Sequence, residues 1–210
     1  MDKSGQASHA RSGEPVWQVR PAPRCDGGGR REELAPSRLV QSSGKLNSQS
    51  DRQDEDQRVR GQLIHRALEL LGQHRGETEI LQILACDFIL SEDQEVVDCY
   101  QQARAVYQDR QFAELFNDSL YEKVYNEMPL SWQQDGRDCY GVIDRLRVAT
   151  DRIWLIDYKT HRRAKQKTDA LLEIYREQMQ AYRQGVEKLW PGRRIRLALL
   201  LTDIPLLCEY

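Results

Sequence analysis

Apolar residues first recur at helical spacing between Asp54 and Leu71, where Val59, Leu63, Ile64, Ala67, Leu68 and Leu71 fall on one face. Gly72 is the natural stop for that helix. Two further apolar clusters follow, Ile80, Leu81, Ile83 and Leu84, then Val96, Val97, Tyr100, Ala103, Val106 and Tyr107. Phe112, Leu115 and Phe116 carry the helical pattern onward. Near Tyr121 the period changes. Tyr121 to Trp132 is rich in strand formers, and Pro129, which cannot donate to a ladder, places this strand at an edge or at a bulge. Asp135-Gly136 signals a tight hairpin turn. Asp138 to Ala149 then reads as a second strand, Thr150-Asp151 as a turn, and Arg152 to Thr160 as a third strand. Thr168 or Asp169 caps a long helix to about Trp190, with Leu171, Tyr175, Gln178, Met179, Tyr182 and Val186 on one broad face. Pro191-Gly192 breaks it, and Ile195 to Leu201 is a continuous apolar run, as expected of a strand buried on both faces. The fold class is α/β. Residues 1–53, with Pro15, Pro21, Pro23, Gly27-Gly28-Gly29 and a polar stretch from Gln41 to Ser50, offer little to bury and read as a disordered, low-complexity tail. That leaves 54–210 as one domain, long enough for a substantial core.

Charge narrows the partners. The formal net charge of the 210 residues is −2, so no general basic field advertises nucleic acid, and any such site must be a local patch. The densest apolar run, Leu197 to Leu201, is stopped by Thr202 and Asp203, too short to cross a bilayer, so no membrane partner is expected. The N-terminus has no apolar signal core, which points to a cytoplasmic protein. Five cysteines, odd in number and irregularly spaced, fit free thiols in a reducing compartment rather than a disulfide framework or a zinc site.

Two of the strand-like runs contain a carboxylate that an apolar strand does not call for: Gly141-Val142-Ile143-Asp144-Arg145-Leu146 and Trp154-Leu155-Ile156-Asp157-Tyr158-Lys159-Thr160. Burying an ionised Asp without a partner is costly. Asp157 and Lys159, two apart on a strand, share a face. Turns centred on Thr150-Asp151 and on Asp135-Gly136 would set Asp144 opposite Asp157 and Glu127 opposite Asp144. The three carboxylates would then form one row across neighbouring strands, with Cβ atoms roughly 4.5–5.5 Å apart, close enough to share a cation and repulsive without one. A bulge at Pro129 would turn Glu127 away. A lone strand carboxylate such as Glu127, or a lone helix histidine such as His65, is otherwise unremarkable. The basic run Arg162, Arg163, Lys165 and Lys167 would ordinarily be a solvated loop, but directly behind a candidate metal site it reads as a phosphate-gripping, DNA-binding loop.

In this order, Gly61/His65, Glu127/Pro129, Gly141/Asp144, Asp157/Lys159 and Gln178/Tyr182 resemble the PD-(D/E)xK nuclease superfamily. The likeness is closer to its RecB/AddA-like branch, with its motifs of the form GxxxH, ExP, GxIDR, DYKT and QxxxY. Pro36-Ser37-Arg38-Leu39 is similar to the segment that opens the nuclease region of AddA-type proteins. The resemblance implies a restriction-endonuclease-like core, a mixed sheet flanked by helices. It implies catalytic Asp144, Asp157 and Lys159, and a metal held by His65, Asp144, Asp157 and the backbone carbonyl of Tyr158. Glu127, Gln178 and Tyr182 would support them, and Gly61, lacking a side chain, would leave room beside the imidazole. Hard oxygens with one imidazole suit Mg²⁺ or Mn²⁺. Some relatives carry an iron–sulfur cluster on four cysteines; only Cys208 lies in the corresponding region, so no iron–sulfur cluster is expected. The implied function is metal-dependent DNA hydrolysis, an exonuclease in DNA end processing for recombinational double-strand break repair, nucleoid-associated. Its DNA, single strands or duplex ends, would be fed by a separate helicase or AddB-like subunit, because the chain carries no motor. The rival readings are a catalytically silent DNA-binding fragment of a helicase–nuclease, which a lost metal ligand would mark, and a nuclease of CRISPR adaptation, which the missing cysteine cluster disfavours.

Overall fold

The computed structural model describes residues 50–134, 136–160 and 168–210. The helical N-terminal half comprises α1 (Ser50–Gly72), α2 (Glu77–Asp87), α3 (Asp93–Gln108) and the short α4 (Ala113–Phe116), with single 3-10 turns at Arg110–Phe112 and Asp118–Leu120. Strands β1 (Lys123–Gln134), β2 (Arg137–Val148) and β3 (Arg152–Lys159) follow, then α5 (Thr168–Leu189), β4 (Arg194–Leu201) and β5 (Leu206–Glu209). The sheet runs β1-β2-β3-β4-β5, antiparallel except for the β3/β4 pair, which is parallel and joined through α5. This is the mixed sheet flanked by helices that the sequence led us to expect. The short edge strand β5 was not, because four residues give too little pattern to separate from a tail.

α1 begins at Ser50, ahead of its first apolar repeat, so Ser50–Gln53 belong to a helix; the rest of the expected N-terminal tail lies outside the described residues. The helix closes just past Gly72. The Arg75 N–H donates to the Leu70 carbonyl and the His74 N–H to that of Leu71, with His74 at φ 59, a Schellman-type end. The left-handed residue is thus His74, whereas Gly72 answers a close approach: a Cβ there would lie 2.7 Å from Nη1 of Arg145.

Two cores sandwich the sheet. Helices α1 to α4 bury Leu63, Ile64, Leu68, Ile80, Leu84, Tyr100 and Phe116 with Trp154, Ile156, Tyr158, Ala198 and Leu200. On the other face α5 buries Met179, Tyr182 and Val186 with Leu130, Ile143, Leu146, Leu155, Leu197 and Leu199. Side chains of β3 and β4 alternate between these two cores, which is why both strands read as unbroken apolar runs. β1 is an edge strand, as Pro129 requires.

The registers also follow the turn chemistry. Arg145 faces Ile156 and Leu146 faces Leu155, with the turn closed by the Ala149 N–H on the Arg152 carbonyl. Gln134 faces Arg137 across the first turn, where Gly136 takes φ 76; Asp135 lies outside the described residues.

Candidate active site

The site is built where β1 and β2 both break step. Along β1, Tyr125 packs on the α5 side and Asn126 lies on the α1 side, hydrogen-bonded to Arg145, yet Met128 is back in the α5 core. Along β2, Ile143 is in the α5 core, Arg145 reaches the Leu115 carbonyl and Asp118 on the α1 side, and Leu146 is again in the α5 core. Strict alternation cannot do this. Each strand spends two consecutive residues on the α1 side, Asn126-Glu127 and Asp144-Arg145. The register is unchanged beyond the step: Asn126 faces Arg145 and Met128 faces Ile143, with no ladder pairing between them. Glu127 makes the step at φ 48, a left-handed conformation that costs an L-residue on the order of 1–2 kcal/mol. Pro129 itself stays paired with Val142, and the break falls at Glu127 and Asp144 as a paired step in which neither strand slips past the other.

The step brings together His65 from α1, Glu127 from β1 and Asp144 from β2. One ligand atom from each lies within 4.8 Å of the others. The Asp144 carboxylate fills the opening where β2 leaves β3. Oδ2 accepts the Tyr158 N–H at 2.5 Å, a donor that a continuing ladder would have used, and Oδ1 lies 3.6 Å from Nδ1 of His65. His65 is braced by the Tyr158 ring, edge-on at 5.6 Å.

Asp157 stands on the other side of the opening, only 2 % exposed. Its Oδ2 lies 2.5 Å from Nζ of Lys159, and Nε2 of Gln178 donates to its Oδ1 at 3.3 Å. The expected flat row of three carboxylates is corrected accordingly. The registers hold, but Asp144 and Asp157 do not form a ladder pair, because Asp144 turns into the opening toward α1 while Asp157 keeps the β3 alternation and meets α5. α5 supplies the braces. Gln178 also donates to the Tyr182 hydroxyl at 3.3 Å, and the Tyr175 ring lies under the Lys159 ammonium at 4.6 Å. Gly141 admits the Tyr182 ring, since a Cβ there would come within 2.4 Å of it. Gly61 meets no such demand: an added Cβ would make an ordinary 3.8 Å contact with Thr160. The Thr202 N–H and the Thr160–Thr202 hydroxyl pair tie the end of β3 to β4 just beyond Lys159.

Electrostatics divide the two aspartates. Burial pushes the Asp144 carboxyl up, but His65, Lys159 and the Tyr158 N–H outweigh it and hold the group below its ordinary range. For Asp157 burial prevails over Lys159, and the carboxyl is raised. Burial opposes the charge on Lys159 and His65 as well, and the neighbouring carboxylates reverse that, raising both. Glu127, desolvated and next to Asp144, is pushed up to about 7. A carboxyl held that high by burial, with a second carboxylate adding to the shift, is one that a cation would help to ionise. Two carboxylates and an imidazole converging there are the donors a hard divalent cation takes. The residues present fit such an ion.

Arg162, Arg163, Lys165 and Lys167 lie outside the described residues. Sequence reasoning placed Tyr175 on the same helical face as Gln178 but gave it no part in the site, where its ring meets Lys159. It passed over Arg145 and Arg147, both fully buried. Arg145 bonds Asn126 and Asp118, and Arg147 bonds the carbonyls of Glu114 and Asn117 and stacks 3.7 Å from the Tyr121 ring. Among the described residues no helix is long and apolar enough to cross a membrane.

No curated protein matches the chain. Among solved structures, the one described as "Crystal structure of SSO0001" is similar at 16% identity over 83% of this chain and 73% of that one. Its TM-score is 0.30, too loose a likeness to carry an argument. The family model of the PD-(D/E)XK nuclease superfamily, in contrast, matches residues 39–207, most of the chain and every element of the site just described. The chain belongs to the PD-(D/E)XK nuclease superfamily.

Proposed function

We propose that this protein is a divalent-metal-dependent deoxyribonuclease of the RecB/AddA-like branch, an exonuclease acting at DNA ends in double-strand break repair. The observation that carries the reading is the convergence of His65, Glu127 and Asp144 beside the Asp157–Lys159 pair. His65 and Asp144, with Glu127 beside them, would hold Mg²⁺ or Mn²⁺, and Asp157 and the Tyr158 carbonyl are the further ligands that the family resemblance implies. Bound there, such an ion would supply Lewis acidity toward a scissile phosphodiester and toward water. Asp157 anchors the Lys159 ammonium, the Tyr175 ring limits its swing, and Gln178 and Tyr182 fix Asp157 in turn. Lys159 thereby keeps its charge in a desolvated site, where it stabilises negative charge developing on the phosphate or orients the attacking water. Arg162, Arg163, Lys165 and Lys167 grip backbone phosphates. A helicase or AddB-like subunit would deliver its substrate.

The branch assignment is supported by the order of the motifs from Gly61 to Tyr182, and the enzyme reading by the presence of every expected ligand, which a silent DNA-binding fragment need not keep. The test is incubation of the purified chain with end-labelled linear and circular single-stranded DNA. Cleavage of the linear substrate with Mg²⁺ or Mn²⁺, little with Ca²⁺ and none in EDTA, is expected. Equal cleavage in EDTA would overturn the metal mechanism, and cleavage of circles would overturn the exonuclease assignment.

A further inference from the structure

Beyond the step at Glu127 and Asp144, the β1–β2 hairpin has one covered face and one open face. Met128, Leu130, Trp132, Cys139 and Ile143 are buried under α5. The opposite face carries, pair by pair outward from the carboxylates, Pro129 with Val142, Ser131 with Tyr140, and Gln133 with Asp138. Pro129, Ser131, Gln133 and Tyr140 are exposed on it. Because of the step, this open face is the one onto which Glu127 and Asp144 project, so the cluster and the open face form one continuous surface. Its large side chain is Tyr140, 51 % exposed. An aromatic ring gains nothing from water, and nothing in the α5 core requires a ring on this side of the strand.

We infer that Tyr140 is a stacking platform for an unpaired base of the substrate strand. The inference rests on the nuclease reading and deepens it. A phosphodiester reaching His65, Glu127 and Asp144 brings its flanking nucleotides over the surface that continues from them. Tyr140 is four residues from Asp144 along β2, about 13 Å at a strand rise of 3.3 Å, which is roughly two to four nucleotides of single strand at 3.4 Å or more each. Every base has a π-face, so a ring at this place holds the strand without reading its sequence. A base inside a duplex cannot offer that face. The platform therefore favours single strands and fixes which bond lies at the cluster, and Pro129 and Val142 form the flat, uncharged approach between ring and carboxylates.

The experiment places 2-aminopurine at successive positions of a single-stranded oligonucleotide and reads its fluorescence with the full-length protein in Ca²⁺. Binding is then measured apart from cleavage. Quenching at one or two adjacent positions is expected, with Tyr140→Trp retaining it and Tyr140→Thr, a good strand former, abolishing it. The same Thr variant should bind the oligonucleotide roughly 5- to 100-fold more weakly, bind duplex unchanged, and melt as the parent does. Unchanged affinity in Tyr140→Thr, quenching that survives it, equal losses for Trp and Thr, or no binding by the parent protein would each overturn the platform. A parent that shows the quenching pattern yet never cleaves with Mg²⁺ would overturn the nuclease reading and leave the platform standing.

Discussion

Asp144 and Asp157 are the same kind of residue on the two arms of one hairpin, and the protein treats them oppositely. Asp144 sits in an opening of the sheet with an imidazole on one oxygen and a backbone N–H on the other, and it is held ionised. Asp157 is sealed under α5 with an ammonium and an amide, and its carboxyl is raised. The first environment leaves coordination sites free toward α1 and Glu127. The second spends its oxygens on Lys159 and Gln178. Two carboxylates in one active centre can therefore divide the work, one presenting negative charge to a cation and the other positioning a positive side chain.

The strongest way to break this comparison is to remove one partner from each side. Asp144→Asn should abolish both cleavage and calorimetric binding of Mn²⁺. Lys159→Ala should lower kcat about 10²–10³-fold while leaving Mn²⁺ binding and DNA affinity near the parent values. Parent-level cleavage by Lys159→Ala would show that the Asp157 side positions nothing of consequence.

A smaller effect separates the two glycines that the motifs single out. Gly141→Ala forces a Cβ into the Tyr182 ring. It should cost about 1–3 kcal/mol in denaturant unfolding and slow cleavage through Gln178 and Asp157. Gly61→Ala, with only an ordinary contact to Thr160, should stabilise α1 by up to about 1 kcal/mol and leave cleavage intact. Loss of cleavage in Gly61→Ala without loss of stability would restore the idea that Gly61 clears room for substrate.

The subtlest prediction concerns the Asp144 side alone. Glu127 has its carboxyl raised from 4.5 to about 7 in the folded chain. Below the unfolded value both states are protonated and Glu127 costs nothing. As pH rises through 4.5 toward 7, the unfolded chain releases its proton more readily than the folded one, so stability falls. In chelator, the melting temperature should drop by a few degrees across that window, Glu127→Gln should flatten the drop, and Mn²⁺ should reverse it. A parent profile identical to that of Glu127→Gln would show that burial beside Asp144 does not raise the Glu127 carboxyl.

Much of this was legible in the sequence because turns and apolar periods are local. Asp135-Gly136 and Thr150-Asp151 set both hairpin registers, Pro129 set the edge, and the i,i+4 spacing of Gln178 and Tyr182 put both on the face that meets β3. The step at Glu127 and Asp144 was not legible, since a φ of 48 at a glutamate leaves no compositional trace and follows from tertiary packing. The buried arginines were hidden for a related reason. Arg145 and Arg147 alternate with Leu146 and Val148 as charged residues do on a solvated strand face. Their cover comes from the carbonyls of Glu114, Leu115 and Asn117 and the carboxylate of Asp118, far away in sequence.

The paired step can also be expressed as an insertion. Take Glu127 out of β1 and Asp144 out of β2, and side chains would alternate regularly along both strands, with Asn126 followed by Met128 and Ile143 by Arg145. Each strand of the hairpin thus holds one residue more than a regular ladder needs, and the two extra residues are the carboxylates that converge with His65. Because the surplus is equal on both strands it cancels in the register, so pairing alone never reveals it. Losing either residue singly would turn the outer half of one strand inside out against its partner. Losing both would give a smoother hairpin with no outer wall to the site.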